Sequence, residues 1–174
     1  AELARATRQG DTAIFAAWLG HARALFVVSD TIKDTSADAV RILREAGLDP
    51  VLCSGDTRGA AMHVAELVGI PTDDQHVFAG VMPARKVEVV RQLQAQGKMV
   101  AMVGDGVNDA AALVQADIGI AMGTGTDAAM QAADITIVGG DIRSVNDALL
   151  ISRATLRTIC LLYTSDAADD TPCV

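Results

Sequence analysis

The sequence predicts an α/β protein with a doubly wound parallel sheet, and three observations support this fold class. Strand-like and helix-like segments alternate along most of the 174 residues, which is typical of βαβ units with right-handed crossovers. Apolar residues make up 51% of the chain but aromatic residues only 3%, which suits a sheet covered by Ala-rich helices. Three predicted helices stop at a glycine, Gly47, Gly69 or Gly97, a common C-terminal cap.

The first predicted unit is a β-hairpin. Apolar runs at 12–18 and 22–28 flank Gly20-His21, a pattern typical of two antiparallel strands joined by a turn. This pair breaks the alternation, so we expect it to be the end of a different, antiparallel unit.

The remaining elements follow in alternation. Pro83 is placed to open one helix, because proline is favoured in the first helical turn. The predicted order is helix 36–46, strand 50–53, helix 59–68, strand 77–79, helix 83–96, strand 99–103, helix 109–115, strand 118–122, a helix from about 127, strand 135–138 and a final helix at about 141–159.

Composition excludes several classes of protein. The net charge of −8 argues against a nucleic-acid-binding surface. No run of 18 or more apolar residues occurs, so no membrane span is predicted. The three cysteines have no metal-ligand spacing, and Cys53 is expected to be a small buried hydrophobe. The chain starts Ala1-Glu2-Leu3 without an initiator Met, which suggests a fragment.

The C-terminal segment 160–174 resembles the translated read-through of a transposase-based sequencing adaptor. We therefore expect it to be non-native and to take no part in the predicted fold.

The loop Gly104-Asp105-Gly106-Val107-Asn108-Asp109 is the strongest functional signal. It follows the predicted strand 99–103, and ligand sites of open α/β sheets lie at the carboxyl ends of strands. Two carboxylates and an amide on one loop indicate a hard cation such as Mg²⁺. The alternative is a solvated turn rich in Gly, Asn and Asp.

Two further segments complete a possible phosphoryl-transfer site. Ser54-Gly55-Asp56 follows another predicted strand and offers a hydroxyl and backbone N–H groups to a phosphate. Lys86, near the start of a helix, offers a positive charge. Phosphoryl transfer needs such a set, because its catalysis is mostly positioning and charge stabilisation. Taken singly, the first segment is also consistent with a simple turn and Lys86 with a solvated helix face.

These motifs resemble the haloacid-dehalogenase-like superfamily and, within it, the phosphorylation domain of P-type ATPases. The loop at 104–109 reads GDGVND, the hinge signature of those pumps, and Ser54-Gly55-Asp56 matches their TGD motif with Ser for Thr. Asp30-Thr31-Ile32-Lys33 matches their DPxR-like segment loosely. The segment 116–138 is similar to the heavy-metal branch, and the segments 139–143 and 152–157 are most similar to copper exporters.

The resemblance implies a domain division. Residues 1–24 would be a remnant of the nucleotide-binding domain, 25–145 the phosphorylation domain, 146–159 a helix leading toward a missing membrane span, and 160–174 the non-native tail. Such a chain would be a cytosolic part of an integral protein of the bacterial inner or plasma membrane. Its partners would be ATP, a transported metal ion and the missing membrane, actuator and nucleotide-binding domains, with no nucleic acid.

The resemblance also implies roles for individual residues in an aspartyl-phosphate cycle that uses ATP and Mg²⁺. Asp105 would ligate Mg²⁺, and Lys86 would neutralise the phosphoryl group. The other expected roles are orientation of Lys86 by Asp109, phosphate contacts by Ser54 and Gly55, completion of the hinge by Gly104, Gly106 and Asn108, and a place near the nucleotide for Asp30, Lys33 and Asp56.

One departure from the family limits the expected activity. No DKTGT segment, which carries the phosphorylated aspartate, occurs in the 174 residues. We therefore expect an incomplete sheet that lacks the strand carrying this segment. We also expect that this chain alone neither hydrolyses ATP nor transports an ion.

Two alternatives remain open. One is a free-standing phosphatase with Asp30 as nucleophile, although Ile32 stands where a general acid is usual. The other is a non-catalytic module that binds Mg²⁺ and phosphate.

The sulfur and imidazole side chains are not expected to bind copper. Met99, Met102 and Met122 lie in apolar strands, where a core position is expected. The three histidines are scattered along the sequence, and a solvated or hairpin role is expected for them rather than metal ligation.

Overall fold

The computed structural model describes residues 12–28, 31–104, 107–123 and 127–166. The elements are β1 (Thr12–Trp18), β2 (His21–Val28), α1 (Ser36–Glu45), β3 (Leu52–Cys53), α2 (Arg58–Val68), β4 (Val77–Phe78), α3 (Pro83–Ala95), β5 (Ala101–Gly104), a 3₁₀ turn (Val107–Asp109), α4 (Ala110–Gln115), β6 (Ile118–Met122), α5 (Asp127–Ala132), β7 (Ile135–Ile137) and α6 (Arg143–Asp166).

The predicted hairpin is confirmed. Strands β1 and β2 pair antiparallel from Thr12 opposite Val28 to Trp18 opposite His21, with a register shift between Ala16 and Ala17. Leu19 and Gly20 form the turn with positive φ angles of 56° and 75°.

The predicted parallel α/β architecture is also confirmed, but the sheet is divided. Strand β3 pairs with β4 in one parallel sheet, and β5, β6 and β7 form a second parallel sheet in that order. Within the described residues β3 and β5 therefore each have a neighbour on one side only. This is the incomplete sheet expected from the missing segment, and each sheet keeps an edge with free N–H and C=O groups.

Each sheet has its own apolar core. Helix α2 covers the β3–β4 sheet, and its Ala61, Ala65 and Val68 are buried with Val40 of α1 and Val77 of β4. The core of the larger sheet combines residues of its strands with a residue of α6; its buried members are Ile120, Met122, Ile137 and Val145. Two of the buried residues of α2 are alanines, and their small side chains permit close approach of the helix to the strands.

Several predicted boundaries are corrected by the structure. The strand predicted at 99–103 begins at Ala101, and the helix predicted from 109 is preceded by the 3₁₀ turn Val107–Asp109. The final helix ends at Asp166 rather than at about 159. Strand β3 is shorter than predicted, because only Leu52 and Cys53 pair with β4.

Helix α2 shows how local residues set the limits of an element. The hydroxyl of Thr57 accepts a hydrogen bond from the N–H of Ala60, and Gly69 ends the helix at φ 80°. Both are standard cap features. Among the helices in the described part of the chain, none combines the length and apolarity that crossing a bilayer requires.

Candidate functional site

A cleft of about 390 Å³ lies at the carboxyl ends of β3 and β5. Both strand ends contribute to it, so it spans the division between the two sheets. We call it the strand-end cleft. Its lining residues are Lys33, Cys53, Lys86, Met102, Val103, Gly104, Asp109, Met122 and Gly140.

An ion pair between Lys86 and Asp109 lies in the strand-end cleft. The Lys86 Nζ donates a hydrogen bond of 2.6 Å to Asp109 Oδ1, and the two side chains are only 16% and 8% exposed. Lys86 sits one turn into α3, and Asp109 ends the 3₁₀ turn that follows β5. Because water is largely excluded, each charge depends on the other for its compensation.

Gly104 makes room for this carboxylate. A Cβ atom at position 104 would lie 2.7 Å from Asp109 Cβ and 3.0 Å from both Asp109 Cγ and Oδ2. No ordinary side chain tolerates such contacts. The first glycine of the loop is therefore required by the close approach of Asp109 to the end of β5, which brings that carboxylate to Lys86.

The segment Ser54-Gly55-Asp56 forms a compact loop beside the strand-end cleft. Ser54 Oγ donates to Asp56 Oδ2 at 2.6 Å and accepts from the Asp56 N–H at 3.1 Å. The N–H of Val81 donates to the Ser54 carbonyl at 2.9 Å. These three residues follow Cys53, which lines the cleft, but do not line it themselves.

Lys33 joins the strand-end cleft from the loop before α1. Its ammonium donates to the carbonyl of Gly140, which also lines the cleft. A second bond of 3.3 Å, from Thr35 Oγ1 to Asp141 Oδ1, ties the same two loops together. Among its described lining residues the cleft thus holds two lysines, Lys33 and Lys86, against the single carboxylate of Asp109, and this excess of positive charge favours an anionic ligand.

Three of the predicted site residues, Asp30, Asp105 and Gly106, lie outside the described residues. Asn108 is described and is exposed on the 3₁₀ turn. No cluster of three or more His, Cys, Asp and Glu side chains suited to a metal ion occurs in the parts of the chain that are described. The carboxylate and amide donors of the loop 104–109 are nevertheless the class of ligand that Mg²⁺ prefers, so these residues fit that ion by their chemistry.

Cys53 is a cleft residue that the sequence prediction placed only in the core. Burial raises the pKa of its thiol, while the Lys86 charge opposes this and the Asp109 charge adds to it. A high pKa keeps the thiol protonated and poorly nucleophilic. The position of Cys53 directly before Ser54, at the carboxyl end of a strand, is the signal that would have placed it at the site.

Comparisons with known proteins find similar sequences. A family model described as haloacid dehalogenase-like hydrolase matches residues 1–117. Copper-exporting P-type ATPases of Staphylococcus aureus strains JH9 and Newman are each 46% identical over 158 residues. The match covers 91% of this chain but 19% of each relative, so the chain spans about a fifth of their length.

Solved structures of a metal-transporting ATPase are also similar to this chain. A zinc-transporting PIB-type ATPase matches with TM-scores of 0.75 in its E2P state and 0.77 in its E2.Pi state, at 32% identity. Each match covers 88% of this chain and 24% of the solved one.

Proposed function

Because the chain belongs to the haloacid dehalogenase-like hydrolases, we propose that it is the phosphorylation-domain part of an ATP-driven heavy-metal pump, with copper as the exported ion. The predicted resemblance to P-type ATPases of the heavy-metal branch is confirmed by the relatives. The observation that carries the proposal is the largely buried Lys86–Asp109 pair at the carboxyl end of β5. Copper rests on the names of the 46% identical relatives.

In the proposed chemistry the described residues act by placing charge. Lys86 would stabilise the negative charge of the transferred phosphoryl group, and Asp109 would hold the ammonium in place. Ser54 and Gly55 would donate hydrogen bonds to the phosphoryl oxygens. For this the Ser54 hydroxyl would first leave the Asp56 carboxylate, which accepts its hydrogen bond in this structure. Lys33 and Asp56, together with Asp30, would lie toward the nucleotide.

Magnesium would be held by Asp105, with Asp109 and Asn108 completing the loop. When bound, Mg²⁺ would neutralise charge on the phosphoryl oxygens. The proposal for Asp105 rests on its place between Gly104 and Gly106 in the hinge motif.

The phosphorylated aspartate would come from a segment outside the 174 residues. Strands β3 and β5 each have one neighbour among the described residues, and both line the strand-end cleft. A parallel strand inserted between them would end beside Lys86 and Asp109. An aspartate following that strand would meet the lysine at the position where phosphoryl transfer requires it.

The phosphatase alternative is less well supported. Ile32, two residues after Asp30, packs against the apolar core around α2. That position therefore supplies no acid for a leaving group.

The decisive test is phosphoenzyme formation from radiolabelled ATP and Mg²⁺. The chain alone is expected to take up no hydroxylamine-sensitive label, because it lacks the acceptor aspartate. The parent protein, identified from the upstream coding sequence, is expected to be labelled, and its Lys86→Ala variant to lose about 10²–10³-fold in labelling rate. Labelling of the chain alone, or an upstream sequence without a DKTGT segment, would overturn the proposal.

A control separates loss of the Lys86 charge from the general effect of removing a cation from α3. Arg85→Ala removes a neighbouring exposed cation of α3 and is expected to label at the parent rate. Turnover of a small phosphoester by the chain alone, abolished by Asp30→Asn, would favour the phosphatase instead.

A further inference from the structure

Four charged side chains meet at the amino ends of the strands, opposite the strand-end cleft. Asp49 precedes β3, Asp73 and His76 precede β4, and Lys98 precedes β5. We call them the amino-end cluster. Asp49 accepts from His76, which leads into the same sheet, and from Lys98, which leads into the other sheet. The cluster therefore bridges the division between the sheets.

His76 is held at both ring nitrogens by a carboxylate. Its Nδ1 lies 2.7 Å from Asp73 Oδ1, and its Nε2 lies 3.0 Å from Asp49 Oδ1. Lys98 Nζ donates to the second oxygen of Asp49 at 2.9 Å. The His76 side chain is 17% exposed, whereas the Asp49 and Asp73 side chains are 52% and 54% exposed, so both contacts lie at the protein surface.

Only the protonated imidazole satisfies this arrangement. A neutral ring carries one N–H, so one nitrogen would then direct a lone pair at a carboxylate oxygen. The Asp73 contact is the shorter, and the same Asp73 oxygen also accepts the N–H groups of Gln75 and His76. Loss of the proton therefore breaks the contact between Nε2 and Asp49.

We propose that His76 is a proton-dependent clasp between the segments that lead into β3, β4 and β5. In its charged form it holds the segment before β4 to Asp49 by a hydrogen bond. Through Asp49 it also links that segment to Lys98, which leads into the larger sheet. In its neutral form it stays with Asp73 and releases Asp49. The release matters because the β3–β4 ladder has only two residue pairs, Leu52–Val77 and Cys53–Phe78.

The surrounding charges fix the direction of the pH response. The hydrogen bond with Asp73 raises the pKa of His76, partial burial opposes this, and the Asp49 charge raises it further. The carboxylate of Asp74, next in sequence to Asp73, is paired with its own cation, because its Oδ1 lies 2.6 Å from Arg58 Nη2. A raised pKa means that the stabilisation is complete below about pH 6.5, the ordinary histidine value. It is lost as the pH rises through the higher pKa of the folded chain.

The direct test is an NMR titration of the histidine ring signals in the whole 174-residue chain. His76 is expected to titrate above about pH 6.5. Asp49→Asn is expected to lower that pKa, because it removes one carboxylate. Lys98→Met is expected to raise it, because Asp49 then carries an uncompensated charge. These opposite shifts from two neighbours distinguish the clasp from a merely structural histidine.

A second measurement follows stability. Between about pH 6 and pH 8.5 the Tm of the chain is expected to fall by about 2–4 °C, and His76→Gln is expected to abolish this fall. The matched control is His63→Gln on α2, which is expected to keep it. A His76 pKa below about 6.5, unchanged on substitution of Asp49, would overturn the proposal. An equal fall of Tm in His76→Gln would do the same.

Discussion

The mutual burial of Lys86 and Asp109 determines how the candidate site responds to substitution. Lys86 Nζ on α3 and Asp109 Oδ1 on the 3₁₀ turn after β5 lie 2.6 Å apart. Removing one partner leaves the other charged and poorly hydrated, whereas removing both leaves two apolar groups in contact. The pair therefore contributes geometry at the cleft more than stability to the fold.

Substitution of the two residues singly and together makes this measurable. Lys86→Met and Asp109→Leu are each expected to lower the free energy of unfolding by about 1–3 kcal/mol. The double variant is expected to lose less than the sum, with a coupling of about 0.5–3 kcal/mol. Urea unfolding of the four proteins gives these values. Strict additivity would show that the two side chains do not interact.

Gly104 is a residue whose importance is steric. A Cβ at this position would meet Asp109 Cβ at 2.7 Å, so Gly104→Ala must push the carboxylate away from Lys86. We expect a loss of about 1–3 kcal/mol in unfolding free energy, as for other overpacked sites. The control is Gly55→Ala, whose Cβ would meet only the Val81 carbonyl oxygen at 3.7 Å. Equal stability of the two variants would contradict this account.

At the scale of elements, the start of α6 depends on a single carboxylate. Asp141 accepts hydrogen bonds from the Arg143 guanidinium at 2.6 and 2.9 Å and from the Arg143 N–H at 2.9 Å. The hydrogen bond from the Arg143 side chain contributes most to lowering the pKa of Asp141 to about 2, and the hydrogen bond from the Arg143 backbone N–H contributes next. Thr35 Oγ1 also donates to it, which joins α6 to the segment before α1.

This gives the direction of an acid response. Because the pKa is depressed on folding, the stabilisation is present above the ordinary aspartate value of about 3.8 and is lost as the pH falls toward about 2. In Asp141→Asn that part of the acid sensitivity is expected to disappear, whereas Asp147→Asn, at an exposed site on α6, is expected to retain it. Carboxyl NMR titrations and melts at several acidic pH values compare the two variants. An Asp141 that titrates near 3.8 would contradict the prediction.

At the scale of the whole molecule, the division of the sheet dominates stability. The β3–β4 ladder has two residue pairs, and β3 and β5 keep unpaired edges among the described residues. Unpaired edges expose hydrogen-bonding groups and reduce cooperativity. We expect a low-temperature, broad thermal transition for this chain, followed by circular dichroism. A sharp, cooperative melt well above ambient temperature would show that the two sheets suffice.

The local features of this chain were determined by the sequence itself. Strand β6 was predicted at 118–122 and is observed as Ile118–Met122. Gly47, Gly69 and Gly97, predicted to end helices, have φ angles of 84°, 80° and 80°. Such features depend on alternation, backbone freedom and neighbouring residues, which act over a few positions. The order of strands and helices and the choice of loops 54–56 and 104–109 followed from them.

Only the tertiary structure decided which distant side chains meet. Lys86 reaches Asp109 because α3 and the turn after β5 converge on one cleft. His76, predicted to be solvated, lies between Asp49 and Asp73 because the segments preceding β3 and β4 lie side by side. Met99, predicted in the core, is 82% exposed, because pairing of β5 starts later than its apolar run. These outcomes depend on crossovers and strand register, which a local pattern does not specify.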